Sequence, residues 1–258
     1  MQNRPNILSI AGHDPTGGAG IQADIETISA LGGRAFSLIS ALTSQNSSNL
    51  FSLKPVETEL LERQFQLLTE DIKFDAVKVG LLGSIDMVNL LKKFLQKLSG
   101  IPIIIDPVLA AGGGQSVANK ALIETFISQI LPLTTLLTPN LPEARLLTKL
   151  ADPDDCARQL QDLGCKHILI TGTHEETENV VNRLYFSTNE KLFLEAKRLP
   201  HEYHGSGCTL SSAIATYLAR NYSLTDAVKL AQEFTFESLK QAEKPGHGQY
   251  FPLRCRKS

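Results

Sequence analysis

The segment Gly205-Ser206-Gly207-Cys208 carries the residue types best suited to chemistry in this chain. It lies directly before an apolar run, residues 210–215, that predicts a helix. Backbone N–H groups at the start of a helix lack intrahelical partners, and the helix dipole adds partial positive charge there, so the segment predicts an anion-binding site. Cys208 falls in the first turn, a position that lowers the pKa of a thiol. A tight turn with Cys208 as a small buried side chain explains the same residues equally well.

A second glycine-rich segment, residues 12–20, follows the first predicted strand and contains four glycines in nine residues. Its spacing differs from the dinucleotide-binding fingerprint, and it lacks the Lys-Ser/Thr ending of a P-loop. The segment therefore predicts either a ligand-binding loop of another type or a flexible connection between a strand and a helix.

Asn140 and Glu143 follow another predicted strand, within Thr138-Pro139-Asn140-Leu141-Pro142-Glu143-Ala144. Asn140 is well placed to cap a helix, and Glu143 three residues later forms a near capping box. Both side chains also offer the hard oxygen ligands that hold Mg²⁺ through water at nucleotide phosphates. The pattern leaves the structural and the metal-binding interpretation open.

The elements that position these segments alternate between strand and helix, which predicts a single α/β domain with a doubly wound, mostly parallel sheet flanked by helices. Strands are predicted at residues 6–11, 35–42, 76–79, 101–105, 134–137 and 167–171. Helices are predicted at residues 19–31, 57–69, 85–98, 120–130, 142–147, 154–163, 209–219 and 224–239. Residues 180–186 and 191–196 predict a hairpin at one edge.

Ligands of doubly wound sheets bind beyond the carboxyl ends of the strands. We therefore expect the site to be formed by the loops that follow the strands. These are residues 12–20, 43–48, 80–84, 106–115, 138–143, 171–175 and 204–208.

Composition excludes several classes of function. The content of 42% hydrophobic and 20% charged residues is typical of a soluble globular protein. A net charge of −2 provides no electrostatic footprint for nucleic acid or an anionic membrane, although backbone amides can still bind an anionic ligand. No stretch approaches the roughly 18 apolar residues of a membrane helix, and residues 7–11 are too short for a signal-peptide core. We expect a cytoplasmic protein that binds neither nucleic acid nor membrane.

Six blocks of the sequence resemble the hydroxymethylpyrimidine/phosphomethylpyrimidine kinase family, within the ribokinase-like superfamily. In chain order they are residues 9–24 (SIAGHDPTGGAGIQAD), 41–46 (ALTSQN), 78–84 (KVGLLGS), 106–108 (DPV), 138–144 (TPNLPEA) and 204–214 (HGSGCTLSSAI). They span nearly the whole chain, and the first and last are the most specific.

The resemblance implies a ribokinase-like fold, a homodimer and an ATP- and Mg²⁺-dependent kinase of thiamine biosynthesis. Its implied reaction is phosphorylation of 4-amino-5-hydroxymethyl-2-methylpyrimidine and then of the resulting monophosphate. Amides of Gly205, Ser206 and Gly207 would cradle the transferring phosphoryl group, and the thiolate of Cys208 would take the alcohol proton. The implied substrate-binding residues are Gly12, Ala19, Asp24, Gln45, Leu81 and Val108. The implied residues for ATP and Mg²⁺ are Asp106, Asn140, Glu143, Thr171 and Gly172, with Mg²⁺ held by Glu143 and Asn140 through water.

The chain departs from the family pattern at two lysines. Thr171-Gly172-Thr173-His174 stands where the family usually has Lys-Gly-Gly-His, whose lysine reaches the ATP phosphates. The loop after Asp106 also usually carries a lysine, but residues 110–114 are Ala-Ala-Gly-Gly-Gly. Lys78, Lys244 or a second Mg²⁺ are candidates to replace the lost charge.

Three alternatives stay open. One is a pyridoxine or pyridoxal kinase of the same family, because both substrates are flat heteroaromatic alcohols. A weakly active or non-catalytic pyrimidine-binding homologue is suggested by the missing lysine at Thr171. A redox-sensing thiol protein rests on Cys208 alone.

Overall fold

The computed structural model describes residues 4–111, 115–116 and 118–255, and strands alternate with helices through most of them. The first half contains β1 Asn6–His13, α1 Gly20–Ala30, β2 Arg34–Gln45, β3 Leu50–Pro55, α2 Thr58–Asp71, β4 Ala76–Val79, α3 Ile85–Lys97 and β5 Ile103–Ile105. Next come β6 Ala110–Ala111, β7 Gln115–Ser116, α4 Lys120–Gln129, a 3₁₀ turn Leu131–Leu133, β8 Leu136–Leu137, α5 Leu141–Thr148, α6 Pro153–Asp162 and β9 His167–Ile170. The remaining elements are β10 Asn179–Tyr185, β11 Lys191–Lys197, α7 Ser206–Ala219 and α8 Leu224–Lys240.

The main sheet has the strand order β11-β10-β9-β8-β5-β4-β1-β2-β3. Its central pairs are parallel, whereas β10 and β11 at one edge and β3 at the other run antiparallel to their neighbours. Strands β4 and β5 are buried at every position, as expected where helices cover both faces of a parallel sheet. The predicted doubly wound α/β fold and edge hairpin are confirmed.

Each face of the sheet packs into its own hydrophobic cluster. One face meets α2 to α6, with Leu8 and Ile10 of β1 on that side. The other meets α1, α7 and α8, with Ile7 of β1 on that side. This division follows because successive side chains of a strand point to opposite faces of the sheet. It places α1 and α7 in contact with each other on the face that covers the strands whose loops carry the conspicuous glycines.

Several elements differ from the sequence-based expectation, and two of these differences lie near the loops at the carboxyl edge of the sheet. Helix α7 begins at Ser206 rather than Thr209, because Gly205 adopts φ +79° and serves as the N-cap. Strand β3 was not predicted, since it is an edge strand whose Phe51 is exposed and whose pattern lacks a buried alternation. Pairing with β3 extends β2 to Gln45. Of the unusual loop at residues 110–114, residues 112–114 lie outside the described range.

Within the described part of the chain, no helix has the length and apolar character needed to cross a membrane.

Candidate active site

The two glycine-rich segments meet in the structure. Gly205 lies against the loop of residues 12–20, so closely that a Cβ atom at Gly205 would overlap the carbonyl oxygen of Gly18 and lie 2.9 Å from Cα of Ala19. Gly18 is equally crowded, by the rings of His204 and Phe251. Glycine is therefore required at these positions for close backbone approach, and not only for chain flexibility.

Replacing Gly205 with alanine is expected to destabilise the protein by about 3 kcal/mol or more, since it combines positive φ with overlap against backbone atoms. Gly17 provides the matched control. It also has a positive φ, +78°, but a Cβ atom there would have no neighbour within 4 Å among the described residues, so Gly17→Ala should cost only about 1 kcal/mol. Urea unfolding of both variants measures the difference, and equal losses would contradict the requirement for close packing at Gly205.

Asp14 organises the first loop and ties it to the second. Its Oδ1 accepts hydrogen bonds from the amide and hydroxyl of Thr16, each at 2.8 Å. Its Oδ2 accepts from the Ala19 amide at 2.8 Å and lies 2.8 Å from Nε2 of His204. Burial alone raises the pKa of Asp14, but the bonds from His204 and Thr16 outweigh burial and hold the pKa below its ordinary value. The Asp14 carboxylate is thus charged and links the loop of residues 12–20 to His204 by hydrogen bonds.

The first turn of α7 contains the segment for which the sequence predicts an anion-binding cradle. The first intrahelical bond at its start runs from the Thr209 amide to the Gly205 carbonyl at 3.0 Å, so the N–H groups of Ser206, Gly207 and Cys208 precede it. A Cβ atom at Gly207 would lie 3.5 Å from Oδ2 of Asp106. The structure therefore brings the predicted catalytic segment and Asp106 together.

A buried polar cluster lies beneath the cradle. Nζ of Lys78 is 2.7 and 2.9 Å from the two carboxylate oxygens of Asp24, and both residues have no exposed surface. Ser9 donates to Oδ2 of Asp24 at 2.6 Å, and Ser212 of α7 donates to Oδ1 at 2.8 Å. Because these three side chains occupy both oxygens of Asp24, the structure places Asp24 in the support of the site and away from its accessible surface.

Cys208 interacts with this cluster and with Asp106. Its thiol is within hydrogen-bonding range of the Asp106 carboxylate and of the Gly20 amide. Burial raises the pKa of Cys208 to about 12, with further increases from the charges of Asp106 and Asp24, while Lys78 acts in the opposite direction. The prediction of a lowered pKa, made from the helix position alone, is wrong because desolvation of the thiolate outweighs the favourable helix terminus.

Asp106 and Glu143 form a pair of buried carboxyl groups. Burial is the main reason why the pKa of each is raised, and the negative charge of Asp106 raises that of Glu143 further. The capping box is present: Oδ1 of Asn140 accepts from the Glu143 amide, and Oε2 of Glu143 accepts from the Asn140 amide, each at 2.9 Å. Oε1 of Glu143 accepts a long hydrogen bond of 3.4 Å from the Leu109 amide. The pair is thus electrostatically unfavourable as it stands and suits a cation.

Replacing Glu143 with glutamine is expected to stabilise the protein by about 1 kcal/mol at neutral pH, because glutamine is neutral without taking up the proton that the buried carboxyl group must bind on folding, and it keeps the capping oxygen. Since the pKa of Glu143 is raised by folding, ionisation costs stability as pH rises from the ordinary carboxyl range through the raised value. The advantage of Glu143→Gln should therefore grow between about pH 5 and pH 9 in urea titrations. A stability difference independent of pH would contradict the raised pKa of Glu143. We also expect the kcat of the Glu143→Gln variant to fall about 10- to 100-fold.

The residues implied for substrate binding lie around the ends of β1, β2, β4 and β5. A Cβ atom at Gly12 would lie 2.9 Å from Cδ2 of Leu81, and Leu81 lines one small pocket together with Val108. Gln45 is half-buried at the end of β2, where Thr43 of the same strand donates to the His13 carbonyl at 2.8 Å. Ala19 is the N-cap residue of α1. Their positions agree with one ligand site at the carboxyl edge of the sheet.

The loop that lacks the family lysine is held by two arginines that the sequence did not single out. Thr171 bridges to Asn140, and the Gly172 amide donates to Asn182 at 3.1 Å. Arg183 forms a two-bonded ion pair with Glu175 of this loop. A larger set of bonds comes from Arg198, which donates to the carbonyls of Thr173, Glu175 and Thr177 at 2.8, 2.7 and 2.8 Å.

Of the two lysine candidates, Lys78 has its charge neutralised by the buried carboxylate of Asp24. Lys244 is exposed, with its Nζ 5.6 Å from the centre of the Tyr250 ring, and its role at the phosphates stays a prediction. Nothing in the local sequence around Arg183 or Arg198 indicates their role, because both act across strands. The Asp14–His204 pair could have been predicted from the sequence, since both residues belong to blocks that carry the family resemblance.

Comparison with known proteins agrees with this arrangement. The model of the phosphomethylpyrimidine kinase family matches residues 14–253. The hydroxymethylpyrimidine/phosphomethylpyrimidine kinase of Escherichia coli is 34% identical over 95% of this chain and 95% of its own length. The bifunctional thiamine biosynthesis protein of Geobacter sulfurreducens is 33% identical over 95% of this chain. The chain spans only 51% of that relative, and only 46% of a 35% identical relative from Schizosaccharomyces pombe.

Two solved structures show the same fold. Phosphomethylpyrimidine kinase from Clostridium difficile superposes with a TM-score of 0.79 at 33% identity, covering 91% of this chain and 99% of its own. Pyridoxal kinase from Staphylococcus aureus in complex with AMP-PCP and pyridoxal superposes with a TM-score of 0.89 at 26% identity, covering 98% and 94%. With the ordered sequence blocks brought together at one edge of the sheet, these matches show that the chain belongs to the phosphomethylpyrimidine kinase family.

Proposed function

We propose that this protein transfers the γ-phosphoryl group of ATP to the hydroxymethyl group of 4-amino-5-hydroxymethyl-2-methylpyrimidine, and then phosphorylates the monophosphate. The observation that carries the proposal is the first turn of α7, where the amides of Ser206, Gly207 and Cys208 precede the first intrahelical bond and Gly207 lies next to Asp106. Such a cradle suits phosphoryl transfer, in which positioning and charge stabilisation supply most of the catalysis.

In the proposed mechanism, the amide cradle binds the equatorial oxygens of the transferring phosphoryl group. Cys208 first passes its own proton to the Asp106 carboxylate within hydrogen-bonding range, and the resulting thiolate then receives the proton of the substrate alcohol. The Lys78 ammonium favours the thiolate that this step requires. Thr171 and Gly172, held by the arginines described above, support the ATP side of the site.

Asp106, Glu143 and Asn140 fit a Mg²⁺ ion bound largely through water. Among residues 4–111, 115–116 and 118–255, no group of three or more His, Cys, Asp or Glu side chains is arranged to hold a metal directly. A pair of carboxylates with raised pKa values is the kind of site that Mg²⁺ occupies together with substrate phosphates while it keeps several waters. When bound, the ion would neutralise charge on the ATP phosphates.

Pyridoxal kinase activity is the second candidate, favoured by the higher TM-score with the S. aureus enzyme, 0.89 against 0.79. Sequence identity favours the pyrimidine instead, at 33% against 26%. Gln45 supports the pyrimidine further, because its amide offers one donor and one acceptor to an aminopyrimidine edge.

Mass spectrometry of products from ATP with each alcohol separates the candidates. We expect mono- and diphosphate of the pyrimidine, with kcat/KM for pyridoxal at least about tenfold lower. A preference for pyridoxal would replace the pyrimidine proposal, and a monophosphate alone would remove its second step. Absence of any product, with ATP and pyrimidine bound, would instead support a binding protein.

A homodimer and a cytoplasmic location complete the proposal. The dimer is supported by family membership and by the exposed apolar side chains of Leu42 on β2 and Phe51 on β3, 47% and 65% exposed. Analytical ultracentrifugation tests it. The location is supported by the free thiols of Cys156, Cys165, Cys208 and Cys255, which persist in a reducing compartment.

A further inference from the structure

Arg254 is a buried cation that contacts three separate parts of the protein. It is 3% exposed. Its Nη1 donates to Glu26 of α1 at 3.0 Å, and its Nε donates to the Thr209 hydroxyl of α7 at 2.8 Å. Its Nη2 donates to the carbonyl oxygen of Gly18. The planar guanidinium thus joins both glycine-rich loops from behind the candidate site.

The contact with Thr209 reaches the cradle directly. The Thr209 hydroxyl donates to the carbonyl of Gly205 at 2.8 Å, and a Cβ atom at Gly205 would lie 2.8 Å from Nη2 of Arg254. Gly205 in turn lies against Gly18. Arg254, Gly18, Thr209 and Gly205 therefore form a closed ring of contacts, and the N-cap that aims the α7 amides is one of its members.

The chain around Arg254 is itself fixed to the site. The His204 amide donates to the Tyr250 carbonyl at 2.8 Å, and the Phe251 ring packs against Gly18 and lies 5.6 Å from the His204 ring. The Leu253 amide donates to the Ser238 carbonyl of α8 at 3.0 Å. Arg254 is thus presented by a well-anchored segment, although it lies one residue beyond the stretch that the family model matches.

The choice of hydrogen-bond acceptors distinguishes this arginine from one in an ordinary ion pair. Glu26 is 47% exposed and would satisfy a lysine as well. The remaining two bonds go to uncharged oxygens, one on the loop of residues 12–20 and one on the first turn of α7, which requires the rigid fork of a guanidinium. The geometry points to Arg254 as a positioning residue that holds the two glycine-rich loops in register for phosphoryl transfer, an inference that rests on the proposed kinase function.

The test compares Arg254→Ala and Arg254→Lys with wild type. Arg220→Ala serves as the control, because Arg220 is exposed and its Nη1 also donates to a backbone carbonyl, that of Leu31 at 3.1 Å. We expect Arg254→Ala to lower kcat about 10²-fold per folded molecule with KM values changed less than about threefold, since loop misplacement affects the transition state most. Arg254→Lys should lose about tenfold, because it keeps the charge without the fork. Added guanidinium ion should restore part of the Arg254→Ala activity and none in the control.

Hydrogen–deuterium exchange provides a readout that needs no turnover. Peptides covering residues 14–20 and 205–209 should exchange faster in both Arg254 variants than in wild type, whereas the exchange rate of α3 peptides should not change. If neither alcohol is phosphorylated by wild type, the proposed function fails, and the exchange data alone decide the positioning role. Unchanged exchange in these peptides, or a folded Arg254→Lys variant with kcat within about threefold of an active wild type, would overturn the role of Arg254. If Arg254→Ala does not fold, the lysine variant carries the test.

Discussion

Replacing Cys208 with alanine is expected to lower kcat by about 10²- to 10⁴-fold, the range typical for loss of a group that transfers a proton in the transition state. The thiol is the reactive side chain that the structure places in the first turn of α7, between the Asp106 carboxylate and the Lys78 ammonium. Steady-state kinetics with ATP and the pyrimidine alcohol measures the loss. Binding of both ligands should be largely retained, because the backbone amides of the cradle remain.

Cys165 supplies a matched control for this substitution. It is also buried, and burial also raises its pKa to about 12, but its thiol contacts the carbonyls of Thr134 and His167 on the far side of the sheet from the cradle loops. Cys165→Ala should leave kcat within about twofold. If Cys208→Ala retains more than about a tenth of wild-type kcat, Cys208 is not the proton acceptor.

The raised pKa of Cys208 has its own consequence for pH dependence. The thiolate fraction rises tenfold per pH unit below the pKa, so the rate should continue to increase beyond the pH at which an ordinary thiol is already ionised. The same profile measured on Cys208→Ala should lack this increase. A wild-type plateau near the ordinary thiol pKa would mean that ligand binding lowers the pKa or that another group titrates.

Replacing Asp24 with asparagine is expected to reduce the free energy of unfolding by about 3–5 kcal/mol. Lys78 and Asp24 are both fully buried, so the substitution leaves an ammonium group without its counter-charge in the core. Burial alone lowers the pKa of Lys78, and the neighbouring negative charges, Asp24 first, raise it above its ordinary value. Chemical denaturation measures the loss of stability.

The double variant Asp24→Asn with Lys78→Met separates stability from catalysis. Removing both charges should recover most of the lost stability, because a buried ion pair is often replaceable by neutral groups. Activity should stay low, since the Lys78 ammonium that favours the Cys208 thiolate is gone. Recovery of kcat together with stability would show that the pair serves the fold alone. A control pair that is exposed, Lys120 with Glu124, should show little effect of either kind.

Local pattern was sufficient for most of the fold. Apolar runs and helix signals predicted β4 at residues 76–79 as observed, and most helices to within one or two residues. The capping box at Asn140 and Glu143 followed from residue types three positions apart. These features depend on interactions between near neighbours in the chain, so a sequence pattern can report them. Strand β3 was not predicted, because an exposed edge strand carries little hydrophobic pattern.

The amino-acid sequence was sufficient to predict the strand–helix order. It was also sufficient to locate the glycine-rich loops and the family blocks that indicate the candidate site. Tertiary structure alone decided how the site is supported, because its key contacts join residues far apart: Asp24 to Ser212 across 188 positions, Asp14 to His204 across 190 and Gly18 to Arg254 across 236. It also reversed the direction of the Cys208 pKa shift. The helix terminus that favours a thiolate is a local feature, whereas the desolvation that outweighs it exists only once distant segments pack around the thiol.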